Sequence, residues 1–178
     1  MSIINVVGAK IWGGGEQYVY DICKQLQQRH RTAYILVDQS NEDMQSRYAQ
    51  VGHVMTANLY TLKGFLSVNA VAKQVKEQGI NTIVCHSGKY ILFCIALKQL
   101  TGAKLVFIKH NLVPGKTDMY HRWINAQVDA FVCVSKLVYD DLMTPVIKDT
   151  SKYHVVHNGI DPNRFQSFSD AVPMKSKV

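Results

Sequence analysis

Apolar and polar positions along the chain follow two periods in turn, and each period predicts a different element. Short apolar runs predict strands at residues 2–7, 33–37, 82–85, 104–108, 130–134 and 153–156, with residues 54–55 as a brief strand at most. Apolar residues at helical spacing, and one short polar segment at 41–50, predict helices at residues 16–28, 41–50, 66–75, 90–100 and 136–143. Another helix-like stretch closes at Trp123. The sequence therefore predicts strands and helices in regular alternation.

This alternation is typical of an α/β domain with a mostly parallel sheet, because right-handed crossovers place helices on both faces of the sheet. Two runs, AYILV at residues 33–37 and AFVCV at residues 130–134, are apolar throughout, which indicates strands buried on both sides. A sheet of this kind binds ligands beyond the carboxyl ends of its strands. Functional residues are therefore expected immediately after each strand.

The composition agrees with one folded domain. A chain of 178 residues that is 47% hydrophobic can bury a full core. No apolar run approaches the roughly 20 residues of a membrane span, and MSIINVVGA at the start lacks the features of a signal peptide. The four cysteines stand singly among apolar residues, which favours core packing in a reducing compartment over a metal site. We expect a cytoplasmic protein without a metal or other cofactor.

The charge is unbalanced, with a formal net value of +7. Residues 98–122 carry five lysines or arginines and two histidines against one acid, Asp118. Solvated helix faces would explain this stretch, but so would attraction to an anionic partner such as acidic phospholipid or a lipid diphosphate. The basic-aromatic patterns of nucleic-acid-binding modules are absent from the sequence, so we do not expect nucleic acid as a partner. Peripheral contact with the anionic inner face of a membrane is the sharper hypothesis.

Three consecutive glycines, Gly13, Gly14 and Gly15, follow the first predicted strand and open the first predicted helix. Without side chains, their backbone N–H groups could approach a bound anion closely. The spacing matches neither the G-x-G-x-x-G fingerprint nor a Walker A loop, and a flexible strand-to-helix loop is the alternative. Glu16 falls in the first helical turn, where a carboxylate is favoured by the helix dipole, so it stabilises the helix start or takes part in a site.

Two histidines directly follow predicted strands: His86 comes after residues 82–85, and His110 comes after Lys109 at the end of the next strand. A single histidine is more often structural than catalytic. Two histidines that end neighbouring parallel strands are expected to face one crevice. Lys109 could point either into the sheet packing or toward a phosphate. Ser135 follows the strand at 130–134, where it would cap the next helix or contact a ligand.

The last ordered motif is VVHNGIDPNRF at residues 155–165. Asn158 and Gly159 form a turn dipeptide after an apolar run, and Asp161 before Pro162 ends regular structure. The residues that follow, 166–178, read as a polar linker. This pattern is interpreted as a hinge between two domains.

The glycine loop, the two histidines after strands, the V-S pair that ends in Ser135 and the N-G-I-D segment at residues 158–161 occur in one order. In that order they resemble the first half of retaining glycosyltransferases of family 4, which have the GT-B fold. The resemblance reaches to about Phe165 and implies a Rossmann-like three-layer domain, the first half of a two-domain architecture. It assigns residues 1–160 to an N-terminal acceptor-side domain and residues 161–178 to the start of a hinge, with the C-terminal nucleotide-sugar domain absent.

The resemblance also implies roles for single residues. His110 would lie beside the transferred sugar and act as the catalytic residue, although Asn111 stands where the family often has an aspartate, which argues against an acid–base role at that position. The other residues implied in donor or acceptor binding are Gly13, Gly14, Gly15, Glu16, His86, Ser135 and Asn158.

The activity implied is transfer of a sugar from a nucleotide-sugar donor to a glycan or lipid-linked acceptor, as a hexosyltransferase of polysaccharide biosynthesis. Nothing in the chain matches the E-x7-E segment that holds the donor in this family, so the 178 residues alone are expected to be inactive. The main alternative is a stand-alone, non-catalytic α/β module that binds an anion or a partner protein. An NAD-linked Rossmann enzyme is disfavoured, because the dinucleotide fingerprint is missing.

Overall fold

The computed structural model describes residues 2–60, 64–143 and 150–159. These residues contain one seven-stranded, entirely parallel sheet in the order β3-β2-β1-β4-β5-β6-β7. The strands are β1 (Ile3–Val7), β2 (Tyr34–Asp38), β3 (His53–Ala57), β4 (Thr82–Cys85), β5 (Lys104–Lys109), β6 (Ala130–Cys133) and β7 (Tyr153–Val155). The helices are α1 (Gly14–Gln28), α2 (Glu42–Tyr48), α3 (Gly64–Glu77), α4 (Ile91–Thr101), α5 (Met119–Gln127) and α6 (Lys136–Leu142), and a 3-10 turn (Gly88–Tyr90) precedes α4.

The helices cover the two faces of the sheet in two groups. Side chains alternate along β1, so that Val7 packs with α1 and α2 while Val6 packs in the larger core with residues of α3 to α6. Both valines are fully buried. This division into helices, sheet and helices is the three-layer arrangement that the sequence predicts.

Capping side chains hold the helix starts near the carboxyl ends of the strands. Asn41, Asp118 and Ser135 each accept a hydrogen bond from the backbone N–H three residues later, at 3.1, 3.1 and 3.2 Å. At the opposite end of a helix, Gly102 follows α4 with φ of 73°, a left-handed conformation that glycine adopts without strain. The loops after the strands therefore enter their helices at defined positions.

At the amino edge of the sheet, Asp129 ties three elements together just before β6. Its Oδ2 accepts hydrogen bonds from Lys98 Nζ at the end of α4 and from the backbone N of Leu105 in β5, both at 2.7 Å. Lys104 Nζ lies 3.8 Å from the other carboxylate oxygen. Burial alone would raise the pKa of Asp129, but these hydrogen bonds and lysine charges hold it below its ordinary value.

The predicted fold class is confirmed, and the differences are local. The third strand is longer than the sequence suggests, because β3 pairs with β2 over five residues although its side chains are partly polar. Helix α5 continues four residues beyond Trp123, to Gln127. In the described part of the chain, no helix is long and apolar enough to cross a membrane. The predicted hinge at residues 161–178 lies outside the described residues, so the division of the chain near residue 160 stays a prediction.

Candidate functional site

The candidate site lies between β1 and β4, where the order in which successive strands are added to the sheet changes direction. β1 and β4 are neighbours, yet the helices that follow them, α1 and α4, pack on opposite faces. The loops therefore diverge and leave a crevice at the carboxyl edge, which is where open α/β sheets bind ligands. The glycine loop enters this crevice after β1, His86 after β4 and His110 after β5.

A hydrogen-bonded chain of three side chains crosses the crevice. Asn5, buried within β1, has its Oδ1 3.1 Å from Nε2 of His86, and Nδ1 of His86 lies 3.0 Å from Nε2 of His110. The two imidazole rings stack with their centroids 5.3 Å apart. The two histidines therefore meet in one crevice, as their positions after neighbouring strands predict.

The partners imply the tautomers of both histidines. Because the amide oxygen of Asn5 can only accept, Nε2 of His86 carries a hydrogen and Nδ1 of the neutral ring is an acceptor. His110 then donates through its Nε2, which leaves Nδ1 of His110 as a second acceptor. The chain of bonds thus fixes the proton arrangement of His110 from inside the sheet.

Both rings are held neutral at ordinary pH. Burial, followed by the proximity of His110, lowers the pKa of His86 from 6.5 to about 3. Burial also lowers the pKa of His110 below 6.5. At neutral pH, His110 therefore offers a lone pair rather than a positive charge.

Helix α1 packs closely against this pair. The ring of Tyr18 lies edge-on to His110 with centroids 5.3 Å apart, and burial raises the pKa of its hydroxyl. A Cβ atom added at Gly15 would lie 3.8 Å from Cδ2 of His110, in ordinary van der Waals contact. The first turn of α1 thus reaches the histidines without an intervening side chain.

The glycine loop is stabilised by its own residues. Glu16 Oε2 accepts a hydrogen bond from the backbone N of Gly13 at 3.1 Å, which supports its role in the helix start. Trp12 packs against Tyr20 and Tyr48, with ring centroids 5.9 and 5.3 Å apart. The guanidinium of Arg47 covers the same indole at 4.9 Å. Trp12 is therefore part of the packing that anchors the loop.

A cavity of about 390 Å³ adjoins the histidines on the side of α4 to α6. Its walls include the apolar side chains of Phe107, Ile124 and Phe131. Besides the two histidines, the basic residues in its walls are Lys109, Lys116 and His121. Such a mixture suits an anionic or hydroxyl-rich ligand with an apolar part.

Lys109, left open by the sequence, lines this cavity at the end of β5. Burial lowers the pKa of its ammonium group; Cys133 and Asp141 act in the opposite direction, and Lys116 adds to the lowering. The ammonium also lies 5.3 Å from the centre of the Phe107 ring. Oδ2 of Asp141 is buried without a hydrogen-bond partner among the described residues. Lys109 therefore faces the cavity, with its side-chain nitrogen within the electrostatic influence of the Asp141 carboxylate.

The remaining candidates lie apart from the histidine pair. Ser135 Oγ accepts the Val138 N–H at the start of α6, which supports its role as a cap. Asn158 is exposed after β7, at the end of the described chain. Neither residue lines the cavity, so ligand contact by Ser135 or Asn158 stays a prediction.

Sequence reasoning missed Asn5 and Tyr18. Asn5 is the only polar residue in the apolar run of β1, and a buried polar group requires a partner, so a signal was present. The sequence contains no such signal for Tyr18, because a single aromatic residue on a helix does not indicate which strand it packs against. The described residues contain no group of three histidine, cysteine or acidic side chains placed to hold a metal. The expectation that the protein needs no metal stays a prediction.

A parallel sheet with its crevice at the switch point defines the broad class of α/β proteins that bind ligands at this edge. The sequence profile of Glycosyltransferase Family 4 matches residues 12–164, which include the glycine loop, both histidines and Ser135. The chain belongs to this family of glycosyltransferases. The comparison with curated protein sequences found no match.

Solved structures share the fold at low sequence identity. A glycosyltransferase from Rickettsia africae ESF-5 superposes with a TM-score of 0.77 at 18% identity, over 97% of this chain and 46% of that one. HepE of Anabaena in complex with UDP-glucose gives 0.72 at 17% identity, over 93% and 46%. The lipopolysaccharide outer core galactosyltransferase WaaB gives 0.62 at 14% identity, over 90% and 46%. The chain spans about half the length of these proteins and has the Rossmann-like fold of half of a GT-B enzyme.

Proposed function

We propose that this chain is the N-terminal, acceptor-side half of a glycosyltransferase that moves a sugar from a nucleotide-sugar donor to a glycan or lipid-linked acceptor. Membership of Glycosyltransferase Family 4 supports the reaction type. The likeness to HepE, which was solved with UDP-glucose, supports a nucleotide-sugar donor, and the likeness to WaaB, a galactosyltransferase, supports transfer of a hexose. Coverage of 46% of each supports a longer enzyme with a second half.

The observation that carries this proposal is the chain of bonds from Asn5 through His86 to His110, at the switch point beside the glycine-opened helix. It presents a neutral His110 whose Nδ1 can accept a hydrogen bond from a hydroxyl group of the sugar or the acceptor. A side chain held in one tautomer by a buried partner positions such a hydroxyl without reorganising during the reaction.

The start of α1 supplies the second element of the site. The first N–H groups of a helix have no partner within that helix, and the positive end of the helix dipole lies there. In α1 these groups belong to Gly14, Gly15 and Glu16, and a Cβ atom added at Gly14 would meet no side chain within 4 Å. They would approach the donor diphosphate from one side, while the second half of the enzyme supplies the groups that hold the nucleotide.

The cavity beside His110 would hold the acceptor. Lys109, Lys116 and His121 give it basic walls, and Phe107 and Ile124 give it apolar ones. A phosphorylated or hydroxyl-rich acceptor group fits this lining better than a purely apolar molecule does. The proposal extends to a role in polysaccharide biosynthesis and to a cytoplasmic location with peripheral membrane contact.

The proposal is tested by His110→Ala in the longer polypeptide, with His154→Ala as the control, because His154 is an exposed histidine on β7. Loss of a hydrogen bond aimed at the reacting sugar should lower transfer by about tenfold to a thousandfold. Thermal unfolding of His154→Ala should match the parent, whereas His110→Ala, which also removes the hydrogen bond to His86, should lower transfer far more than it lowers stability. If His110→Ala lowered stability and left turnover per folded molecule intact, His110 would be a structural residue.

A second measurement tests the division of labour between the halves. Calorimetric titration of the 178-residue chain with UDP-, GDP- and ADP-sugars should show weak binding or none, and no transfer should be detected. Micromolar binding of a donor would place the nucleotide on this half. It would also favour the alternative of a self-sufficient binding module.

A further inference from the structure

Helix α5 and the loop before it expose a group of large apolar side chains. Met119 is 87% exposed and Trp123 is 49% exposed. Together with three neighbours they form what we call the α5 surface, whose members are Leu112, Val113, Met119, Tyr120 and Trp123. Single exposed apolar residues are common on proteins, but a contiguous group usually marks an interaction surface.

The helix itself has two apolar faces. Ile124 and the residue after the helix, Val128, point inward and are buried in the main core. Met119 and Trp123, four residues apart, share the opposite face, and Tyr120 borders it. The inward face packs α5 against the main core. The outward face therefore serves no packing purpose among the described residues.

The charges around the α5 surface are positive. Lys116 in the loop and Arg122 on the helix are both exposed, and the helix contains no acidic residue. Asp118 is the one acid in the loop and helix, and its carboxylate is engaged at the helix start, 2.6 Å from Nδ1 of His121. An incoming partner would thus meet aromatic and aliphatic side chains flanked by two cations that have no ion-pair partner in the part of the chain that the structure describes.

The α5 surface adjoins the mouth of the candidate site. Its residues Val113 and Tyr120 line the same cavity as His86 and His110, and so does Lys116. The loop follows β5, so the surface lies at the carboxyl edge of the sheet, next to the crevice. Whatever binds here is held beside the acceptor cavity.

We propose that the α5 surface docks on an anionic lipid bilayer, with Met119, Tyr120 and Trp123 in the interface and with Lys116 and Arg122 at the lipid phosphates. Tryptophan and tyrosine favour the boundary between headgroups and acyl chains. Each lysine or arginine near an anionic leaflet strengthens binding by about fivefold. The proposal rests on the proposed function only in giving this contact a purpose, which is access to a lipid-linked acceptor.

The test uses the fluorescence of Trp123. The sequence has two tryptophans, and Trp12→Phe leaves Trp123 as the sole emitter while retaining an aromatic ring against Tyr20 and Tyr48. Vesicles of equal parts phosphatidylcholine and phosphatidylglycerol should shift its emission to the blue, and brominated lipids should quench it. Pure phosphatidylcholine should give at least about tenfold weaker binding, and added salt should weaken binding to the mixed vesicles. Flotation of the unmodified chain with the same vesicles provides a readout that does not depend on the substitution.

Two matched pairs of variants locate the surface. Lys116→Gln with Arg122→Gln should weaken vesicle binding by more than about tenfold, because two basic contributions are lost. Arg29→Gln with Arg31→Gln removes the same charge at the opposite edge, where α1 leads into β2, and should change binding less than about threefold. In the flotation assay, Trp123→Ala should weaken binding, while Leu100→Ala at the far end of α4 should not.

Several outcomes would overturn the proposal. They are an absence of vesicle binding, equal loss in the two charge pairs, equal affinity for neutral vesicles, or an emission shift caused by self-association without lipid. Because these assays contain no sugar donor, they separate the two proposals. A chain that binds no vesicles, within an enzyme that still transfers to a soluble acceptor, would refute the membrane surface and the peripheral membrane contact, and would leave the proposed sugar transfer standing.

Discussion

At the amino edge of the sheet, Asp129 accepts hydrogen bonds from Lys98 and from the Leu105 backbone, and a second lysine lies near the same carboxylate. At the carboxyl edge, His86 and His110 share one hydrogen bond beside a cavity of about 390 Å³, and an acceptor on His110 remains. The polar groups of the first edge bond to one another. At the second edge, the two histidines are held in place by Asn5, and Nδ1 of His110 can still accept a hydrogen bond from a further partner.

This difference follows from the way a parallel sheet is connected. Every helix begins near the carboxyl edge, so that edge collects the helix starts with their unpaired N–H groups and the loops that diverge at the switch point. The amino edge contains the helix ends and the short loops that lead back into the strands. There, one carboxylate can bond to groups of a helix end and of a strand start, as Asp129 does. We therefore expect substitutions at the amino edge to act on stability, and those at the carboxyl edge to act mainly on function and on proton equilibria.

The largest stability effect is expected at the amino edge. Asp129→Ala removes the acceptor of the Leu105 N–H and the partner of Lys98, and should lower the free energy of unfolding by about 2–3 kcal/mol. Asp129→Asn keeps an oxygen acceptor and should lose less. Urea unfolding of both variants measures the difference. If Asp129→Ala lowered the free energy of unfolding by less than about 0.5 kcal/mol, the hydrogen bonds of Asp129 would not stabilise the amino edge.

The next effect concerns pH. His86 stays neutral in the folded protein until about pH 3, whereas its ordinary pKa is 6.5, so the unfolded chain binds a proton first as pH falls. Stability is complete above pH 6.5 and should decline below it by at most about 1.4 kcal/mol per pH unit. His86 as a whole residue is only partly buried, which makes that slope an upper value. The depressed pKa of Asp129 has the same sign, but its contribution falls away only below its ordinary 3.8.

Unfolding measured between about pH 7 and pH 4.5 tests this order of events. His86→Gln removes one of two histidines whose pKa is lowered and should reduce the decline, while His110 retains its own smaller part. His154→Gln, at an exposed position, serves as the control. If the slope were the same in all three proteins, the carboxyl edge would not control acid stability.

A smaller effect is expected from Asn5→Leu. The substitution leaves Nε2 of His86 without its acceptor and should cost about 1–2 kcal/mol. The effect that distinguishes this variant is a change of histidine tautomer. Nitrogen chemical shifts should show hydrogen on Nε2 of both histidines in the parent protein and a mixture of tautomers in Asn5→Leu. A uniform tautomer in Asn5→Leu would mean that Asn5 does not set the proton arrangement of His110.

The smallest effect separates the two interpretations of Ser135. As a cap of α6, Ser135→Ala should lower stability by about 1 kcal/mol, and Ser135→Asp should restore it. Transfer by the longer enzyme should stay within about twofold of the parent. A loss of transfer at unchanged stability would instead make Ser135 a ligand-binding residue.

Much of the fold follows from local pattern. Among the described residues, apolar runs, helical spacing and one polar segment predicted the six α-helices and the seven strands, with β3 only as a brief strand and the 3-10 turn missed. The connection rules of parallel sheets predicted helices on both faces. The misjudged boundaries have a tertiary cause. The partly polar β3 is fixed by pairing with β2, and α5 extends past Trp123 because Ile124 packs in the core.

The candidate site also has a part that local sequence pattern predicts and a part that depends on tertiary contacts. Its position after the strands, and the pair His86 and His110 with the glycine loop, could be predicted because side chains that end parallel strands collect at one edge. The sequence by itself determined the class of fold, the family and this short set of residues. Only the tertiary structure decided that Asn5 bonds to His86, that Tyr18 and Gly15 reach His110, and that Trp12 packs against Tyr48. These contacts join residues far apart in sequence, and the order of strands across the sheet, which local pattern does not encode, brings them together.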